Sequence, residues 1–268
     1  MKSRDTHAMD NRTGNSSVNG QVSIITGGSS GIGRATGIAM ARAGATVIVV
    51  GSSPKHVADS VRLISECSDQ REAPMALILD VSKEGDMKEM AYQTLTRYGR
   101  IDVLVSSAGI GKRRDCTRFA PYSFAQLPAE EWDAVLDTNL TGTFLANRAV
   151  LPAMIRQGSG VIINISSFQG GRKGQPFAPA YSASKFGIAG MSYALADEVR
   201  REGIRVEVLF PDVTDTALLQ NSTLSSRFGS LLSPERIAEI IVYLAGLQND
   251  CVITDLGVTS FAPQDQPC

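Results

Sequence analysis

Val22-Ser23-Ile24-Ile25-Thr26-Gly27-Gly28-Ser29-Ser30-Gly31-Ile32-Gly33 is the stretch on which the reading of this chain turns. A short β-branched run enters a glycine-rich turn, and a periodic stretch over 31–43 follows. Glycines let a backbone turn sharply and approach a ligand closely. A helix that starts directly after such a turn offers unpaired N–H groups and a positive dipole end. The spacing is G-x-x-x-G-x-G, and between a first strand and a first helix it marks a candidate dinucleotide site. Further short apolar runs follow at 46–50, 76–79, 103–106, 161–165, 205–209 and 251–254. Helical stretches alternate with them at 54–68, 83–98, 128–157, 180–202 and 234–247. Several runs are apolar on consecutive positions, the pattern of strands buried on both faces. The order predicts an α/β fold, a doubly wound parallel sheet with right-handed crossovers. No Pro/Gly linker divides the chain, so 20–268 reads as one domain behind a polar, flexible arm at 1–19.

Composition narrows the chemistry. The chain has 268 residues, a formal net charge of −1, 43% hydrophobic and 20% charged residues. That is the make-up of a soluble globular protein with a substantial core. Near-neutral charge weighs against nucleic acid or an anionic membrane as partner. The two histidines are His7 and His56, and none follows. Ser-His-Asp and Cys-His chemistry therefore lack their imidazole base, and His-rich zinc sites lack their ligands. Cys67, Cys116, Cys251 and Cys268 form no C-x-x-C pair, so no metal site or disulfide framework is expected. Reduced thiols in the cytoplasm are the expectation. No signal-peptide run opens the chain, and no apolar run is long enough to span a bilayer.

Three groups of residues suggest a reaction centre. Tyr181 and Lys185 stand four apart and share one helix face with Ile188, Ser192, Leu195 and Val199. An ammonium beside a phenol lowers its pKa and fits it for proton transfer near neutral pH. Ser166 and Ser167 close an apolar strand, where ligands of open α/β sheets bind. Asn139 lies on the apolar stripe of Trp132, Val135, Leu136, Leu140 and Phe144, so its amide must find buried partners.

These motifs, in this order, resemble the short-chain dehydrogenase/reductase family. Thr26-Gly27-x-x-x-Gly31-Ile32-Gly33 is similar to its cofactor signature, and Asp80-Val81 to its adenine-contacting pair. Ser106-Ser107-Ala108-Gly109 stands where the family has Asn-Asn-Ala-Gly, and Tyr181-Ser-Ala-Ser-Lys185 matches its Y-x-x-x-K motif. Ser167-Phe-Gln-Gly170 fits the family's S-x-x-G better than Ser166 does, and Pro211-x-x-x-x-Thr216 follows the sixth strand. The resemblance spans about residues 20–260 and implies a single-domain Rossmann fold. It implies hydride transfer between a nicotinamide and a small carbonyl or alcohol substrate. Tyr181 is then the general acid/base, Ser167 orients the substrate oxygen, and Lys185 lowers the tyrosine pKa and holds the ribose. Asn139 holds a water in a proton relay. The implied cofactor contacts are Gly27, Ser29, Ser30, Gly31, Ile32, Gly33, Asp80, Val81, Ser107, Ala108, Gly109, Thr214 and Thr216, with Tyr181 and Lys185. Ala183, Gly187, Gly190 and Ala194 suit close helix packing and, with the family's habit, imply a homodimer or homotetramer.

An acidic residue after the second strand would select NAD. Gly51 stands there, followed by Ser52, Ser53 and Lys55, a set suited to a 2′-phosphate. NADP is therefore favoured over NAD. The chain departs from the family at Ser106-Ser107, and at Asp212, where glycine is usual after the proline. A carboxylate there bears on nicotinamide position and affinity. The segment between Gly109 and Trp132 is longer than usual and carries Lys112, Arg113, Arg114, Arg118, Phe119, Tyr122 and Phe124. It reads as a solvated loop or as a lid over an acidic or aromatic substrate. Two rival readings stand beside the reductase. One is a non-catalytic dinucleotide-binding regulator. The other is a sugar-nucleotide epimerase or dehydratase, for which the chain after Pro211 leaves little room.

Overall fold

The computed structural model describes residues 17–67, 73–112, 122–220, 231–248 and 250–261. Its strands are β1 (Val22–Thr26), β2 (Thr46–Gly51), β3 (Met75–Ile78), β4 (Val103–Ser106), β5 (Gly160–Ile165), β6 (Ile204–Pro211) and β7 (Asp255–Val258). They form one parallel sheet in the order β3-β2-β1-β4-β5-β6-β7. The helices are α1 (Gly31–Arg42), α2 (Pro54–Glu66), α3 (Glu84–Tyr98), α4 (Ala129–Leu136), α5 (Gly142–Gln157), α6 (Pro179–Val199), α7 (Ala217–Gln220) and α8 (Pro234–Gly246).

Consecutive apolar residues in the strands feed opposite faces of the sheet. Ile24, Ile48, Leu104 and Ile162 pack with Met87, Met90, Leu145 and Val150 beneath α3 and α5. Ile25, Val49, Val105 and Ile163 pack with Met40, Val57, Ile237 and Ile241 beneath α1, α2 and α8. Helix starts follow local chemistry. Ser53 caps α2 by accepting from the His56 N–H, and Ser233 caps α8 by accepting from the Arg236 N–H at 3.2 Å, each with proline next. The order reverses between β1 and β4, so a crevice opens at the carboxyl ends of those strands.

Three elements differ from the sequence expectation. The last strand is Asp255–Val258, not 251–254. It adds to the carboxyl half of β6 in the register Val208↔Asp255 to Pro211↔Val258, so ladder geometry outweighs the β-branched residues just before it. The third strand begins one residue early, at Met75. The long helix expected over 128–157 is α4 and α5 joined by a wide π-turn, Asp137–Thr141. Such turns absorb one extra residue and recur at functional sites. Of the expected arm, residues 1–16 lie outside the described residues, and Val18 is buried in the second core cluster. The basic stretch at 113–121 is likewise outside them.

One buried ion pair sits away from the crevice. Arg205 on β6 donates to Glu207 Oε1 at 2.7 Å and to the carbonyls of Leu244, Ala245 and Leu247 at the end of α8. Glu207 is fully buried. Burial pushes its carboxyl up to about 7, against the pull of Arg205. The folded chain therefore holds this proton where the unfolded chain has released it. Stability from Glu207 is full below the ordinary glutamate range and is lost as pH rises to about 7. Thermal unfolding at pH 5 and pH 7.5 should show a larger fall in Tm for wild type than for Glu207→Gln. Equal falls would remove Glu207 as the cause.

Candidate active site

The glycine-rich turn is a cradle of bare backbone. Gly27 has φ +67°, and a Cβ there would stand 2.6 Å from the Ala108 nitrogen. A Cβ on Gly33 would stand 2.3 Å from the Gly27 oxygen. The turn therefore packs directly on the end of β4 and on the first turn of α1, which only glycine allows. Ser107 N donates to Thr26 O at 3.2 Å across the same junction. Ser30 begins α1 in an extended conformation, and its side chain makes no cap bond. The first N–H groups of α1 therefore face the crevice without a side-chain partner from Ser30, as an anion-binding end requires. Ile32 packs into the core beside them. Gly31 meets Thr216, whose Cγ2 would lie 3.1 Å from an added Cβ. The segment after β6 is thus folded back over the turn. In that segment Thr214 Oγ1 donates to Asp212 O at 2.8 Å, and Thr216 Oγ1 to Thr214 O at 3.4 Å.

The expected adenosine contacts separate. Ser29 lies against Gly51, whose added Cβ would be 2.8 Å from Ser29 Oγ. A larger residue at 51 requires the Ser29 and Val57 side chains to shift. Ser52 follows it at the strand end, whereas Ser53 uses its hydroxyl as the α2 cap, and Lys55 is exposed. Asp80 Oδ1 accepts from Ser82 N and Oγ, which fixes the turn after β3. Val81 is buried against Gly142, so its side chain is structural. Arg34 is a residue the sequence reading passed over. Its Nη2 donates to Ser29 O at 2.6 Å and its Nε to Ser60 Oγ at 2.8 Å, which brings a guanidinium beside the Ser29–Gly51 contact. Its place one turn beyond Ser30 was the available signal.

Asn139, Ser167, Tyr181 and Lys185 come together at the carboxyl ends of β4 and β5. Asn139 is fully buried in the π-turn. Its Oδ1 accepts from Ile110 N at 2.8 Å, and its Nδ2 donates to Ile110 O and to Ser184 Oγ, both at 3.0 Å. Ser184 Oγ donates in turn to Tyr181 O at 2.7 Å. A Cβ on Gly109 would stand 3.4 Å from Asn139 Oδ1 and 3.6 Å from Lys185 Nζ. The two polar ends therefore converge on residue 109. Lys185 is buried, and its Nζ donates to Ile165 O at 2.9 Å. Between the two candidate serines the geometry distinguishes clearly. Ser166 Oγ donates to Lys185 O at 2.8 Å, a bond internal to the fold. Ser167 Oγ accepts from Gly170 N at 3.0 Å, and an added Cβ on Gly170 would stand 2.6 Å from the Tyr181 ring and 3.5 Å from Ser167 Cβ, so Ser167 and Tyr181 flank the same glycine.

Burial sets the electrostatics of the pair. It pushes the Tyr181 phenol up, against a smaller downward pull from the Ser167 hydroxyl. The Lys185 ammonium is desolvated, which brings its pKa down to about 8. Nζ lies 5.7 Å from the ring centroid and is engaged by Ile165 O. Tyr181 is thus held as a protonated phenol. The departures from the family pattern are accommodated by local bonds. Ser106 Oγ donates to Asn147 Oδ1 at 3.2 Å, and Asp212 Oδ1 accepts from Gln169 Nε2 at 2.9 Å.

A switch-point crevice with a bare-backbone turn on one side and a serine–tyrosine–lysine group on the other defines a dinucleotide-dependent oxidoreductase. The chain belongs to the short chain dehydrogenase family, whose model matches residues 21–226. It is 36% identical over 241 residues to the 3-oxoacyl-[acyl-carrier-protein] reductase of Thermotoga maritima, covering 87% of this chain and 93% of that one. Among solved structures, the 3-ketoacyl-(acyl-carrier-protein) reductase of Brucella melitensis, complexed with NADH, superposes with a TM-score of 0.80 at 30% identity. That match covers 90% of this chain and 98% of the other. A metagenomic short-chain oxidoreductase in complex with NADP gives a TM-score of 0.75 at 29% identity, over 91% and 99% of the two chains.

The two serines make the site testable. Ser167→Ala should lower kcat by about 10²-fold, as loss of an orienting hydrogen bond does, with little change in Tm. Ser166→Ala should show the reverse emphasis, a stability loss of about 1 kcal/mol for the buried bond. Steady-state kinetics and thermal unfolding on both variants check the contrast. A larger kcat loss for Ser166→Ala would reverse the assignment.

Proposed function

We propose that this chain interconverts a carbonyl compound and a secondary alcohol with NADP, using Tyr181 as general acid/base. The observation that carries this reading is the gathering of Ser167, Tyr181 and buried Lys185 at the switch point, with Ser167 Oγ and the Tyr181 ring both against Gly170 and Lys185 Nζ held by Ile165 O. The residues present fit a dinucleotide: an added Cβ at Gly27 or Gly33 would fill the cradle, and Ser30 leaves the α1 N-terminus open. When bound, the nicotinamide supplies or accepts the hydride. Ser167 orients the substrate oxygen through its hydroxyl. Tyr181 holds the proton at its phenol oxygen and delivers it to that oxygen in reduction. In the reverse direction it removes the alcohol proton. Burial keeps the Tyr181 phenol protonated, so the proton to be delivered is present. Lys185 holds the nicotinamide ribose, and its ammonium supports the proton's return to Tyr181. Asn139 clamps Ile110 and Ser184, and so shapes the relay end of the site.

The adenosine end supports NADP. Gly51 presents no carboxylate, and Ser29, Ser52 and the guanidinium of Arg34 offer hydroxyls and a positive charge to a 2′-phosphate. The outer faces of α5 and α6 expose Phe144, Ile155, Phe186 and Tyr193, which supports a homodimer or homotetramer. No helix of the described residues is long and apolar enough to cross a membrane. The substrate is a small molecule, and the proposed location is the cytoplasm.

NADPH and NADH consumption over ketones, aldehydes and acyl thioesters tests the activity. Tyr181→Phe should lower kcat by at least about 10²-fold while NADPH binding, followed by fluorescence, is retained. Undiminished turnover in that variant would sink the mechanism, and absence of turnover by wild type would favour a non-catalytic regulator. Arg34→Leu should raise KM for NADPH about tenfold and KM for NADH far less. Equal rises would make Arg34 a structural brace only.

A further inference from the structure

Asp212 is the first residue past β6, and it is held on three sides. Its N donates to Val258 O at 2.8 Å. Its Oδ1 accepts from Gln169 Nε2 and from Val213 N, both at 2.9 Å. Both of these donors are neutral, so the bonds aim the carboxylate without compensating its charge. Gln169 stands two residues past Ser167. On the other side, Thr214 Oγ1 donates to Asp212 O at 2.8 Å, and Thr216 lies against Gly31 of the glycine-rich turn. Asp212 therefore stands on the segment that runs from the end of β6, where its carboxylate is tied to the helical turn following Ser167, to the contact with the glycine-rich turn. A dinucleotide with its pyrophosphate on that turn and its nicotinamide toward Ser167 and Tyr181 would run alongside this segment.

We infer that Asp212 makes the site discriminate between the redox forms of its cofactor, holding the oxidised nicotinamide more tightly than the reduced one. The inference rests on the nicotinamide reading of the crevice. The oxidised ring carries a positive charge, and the reduced ring carries none. A fixed carboxylate in a partly buried crevice stabilises only the charged form. The same charge acts during reduction. In reduction a bound nicotinamide would pass its hydride, with the electron pair, to the carbonyl carbon and become positive, while Tyr181 gives its proton to the oxygen; the Asp212 carboxylate would favour that gain of positive charge. Gln169 is the positioning residue that keeps the carboxylate there.

Binding on the purified full chain tests this without turnover. NADPH is titrated by fluorescence and NADP+ by displacement of NADPH, with NADH and NAD+ in parallel. Asp212→Asn keeps an acceptor for Gln169 and removes the charge. It should raise Kd for the oxidised form about five- to tenfold while Kd for the reduced form stays within about twofold. Gln169→Met retains the charge but loses its positioning bond, and should reduce the preference for the oxidised form part of the way toward that of Asp212→Asn. An unchanged ratio in Asp212→Asn, or equal weakening of both forms, overturns the inference. If Asp212→Asn fails to fold, Asp212→Ser answers through the same ratio. Failure of wild type to bind any of the four nucleotides overturns the nicotinamide reading and this inference together. Full turnover in Tyr181→Phe overturns the proposed acid/base role and leaves the charge effect standing.

Discussion

Parallel pairing of β1 with β4, in the register Ser23↔Val103 to Thr26↔Ser106, is the constraint from which the rest of the molecule follows. It sends the chain to one side of β1 for β2 and β3 and to the other for β4 to β7. The helices that cover the sheet must then diverge at that point, and a crevice opens over the strand ends. The contact of Gly27 with Ala108 closes its floor with backbone alone. Everything with chemical consequence is attached to that floor. α1 begins there, the Ser107–Gly109 segment crosses it, and β5 delivers Ser167 beside it.

The catalytic side is built from bonds that fix groups whose sequence positions are far apart. Asn139 and Ile110 form a two-way amide clasp, and Ser184 links it to Tyr181 O. The π-turn matters because it places Asn139 on the inner side of a helix that otherwise continues through α5. Burial then sets the proton affinities. The same desolvation pushes the phenol of Tyr181 up and brings the ammonium of Lys185 down to about 8, closer to neutral pH.

Much of the fold was legible in advance. Strands buried on both faces give near-continuous apolar runs, and β1, β2, β4, β5 and β6 lie where such runs occur. β7 was misplaced because Cys251-Val252-Ile253-Thr254 carries the stronger local preference, whereas pairing is set by where β6 still has an open edge. Part of the site was legible as well, since Tyr181 and Lys185 share a helix face by spacing alone. Arg34, Ser184 and Gln169 were not. Their importance lies in the partners they reach, at Ser29, Asn139 and Asp212, and no local pattern encodes those pairings.

By itself the sequence determined the layered α/β architecture, the dinucleotide-binding turn and the residue types available for proton transfer. Those properties depend on periodicity and on backbone freedom at particular glycines, which are local. Tertiary structure alone decided that the Ser166 hydroxyl is spent on Lys185 O, how burial shifts Tyr181 and Lys185, and what Asp212 touches. Each of those depends on distance and desolvation between strands and helices that are remote along the chain. A hydroxyl's role changes with a rotation of one residue, and a charge's effect with the dielectric around it. Neither quantity exists until the sheet has closed.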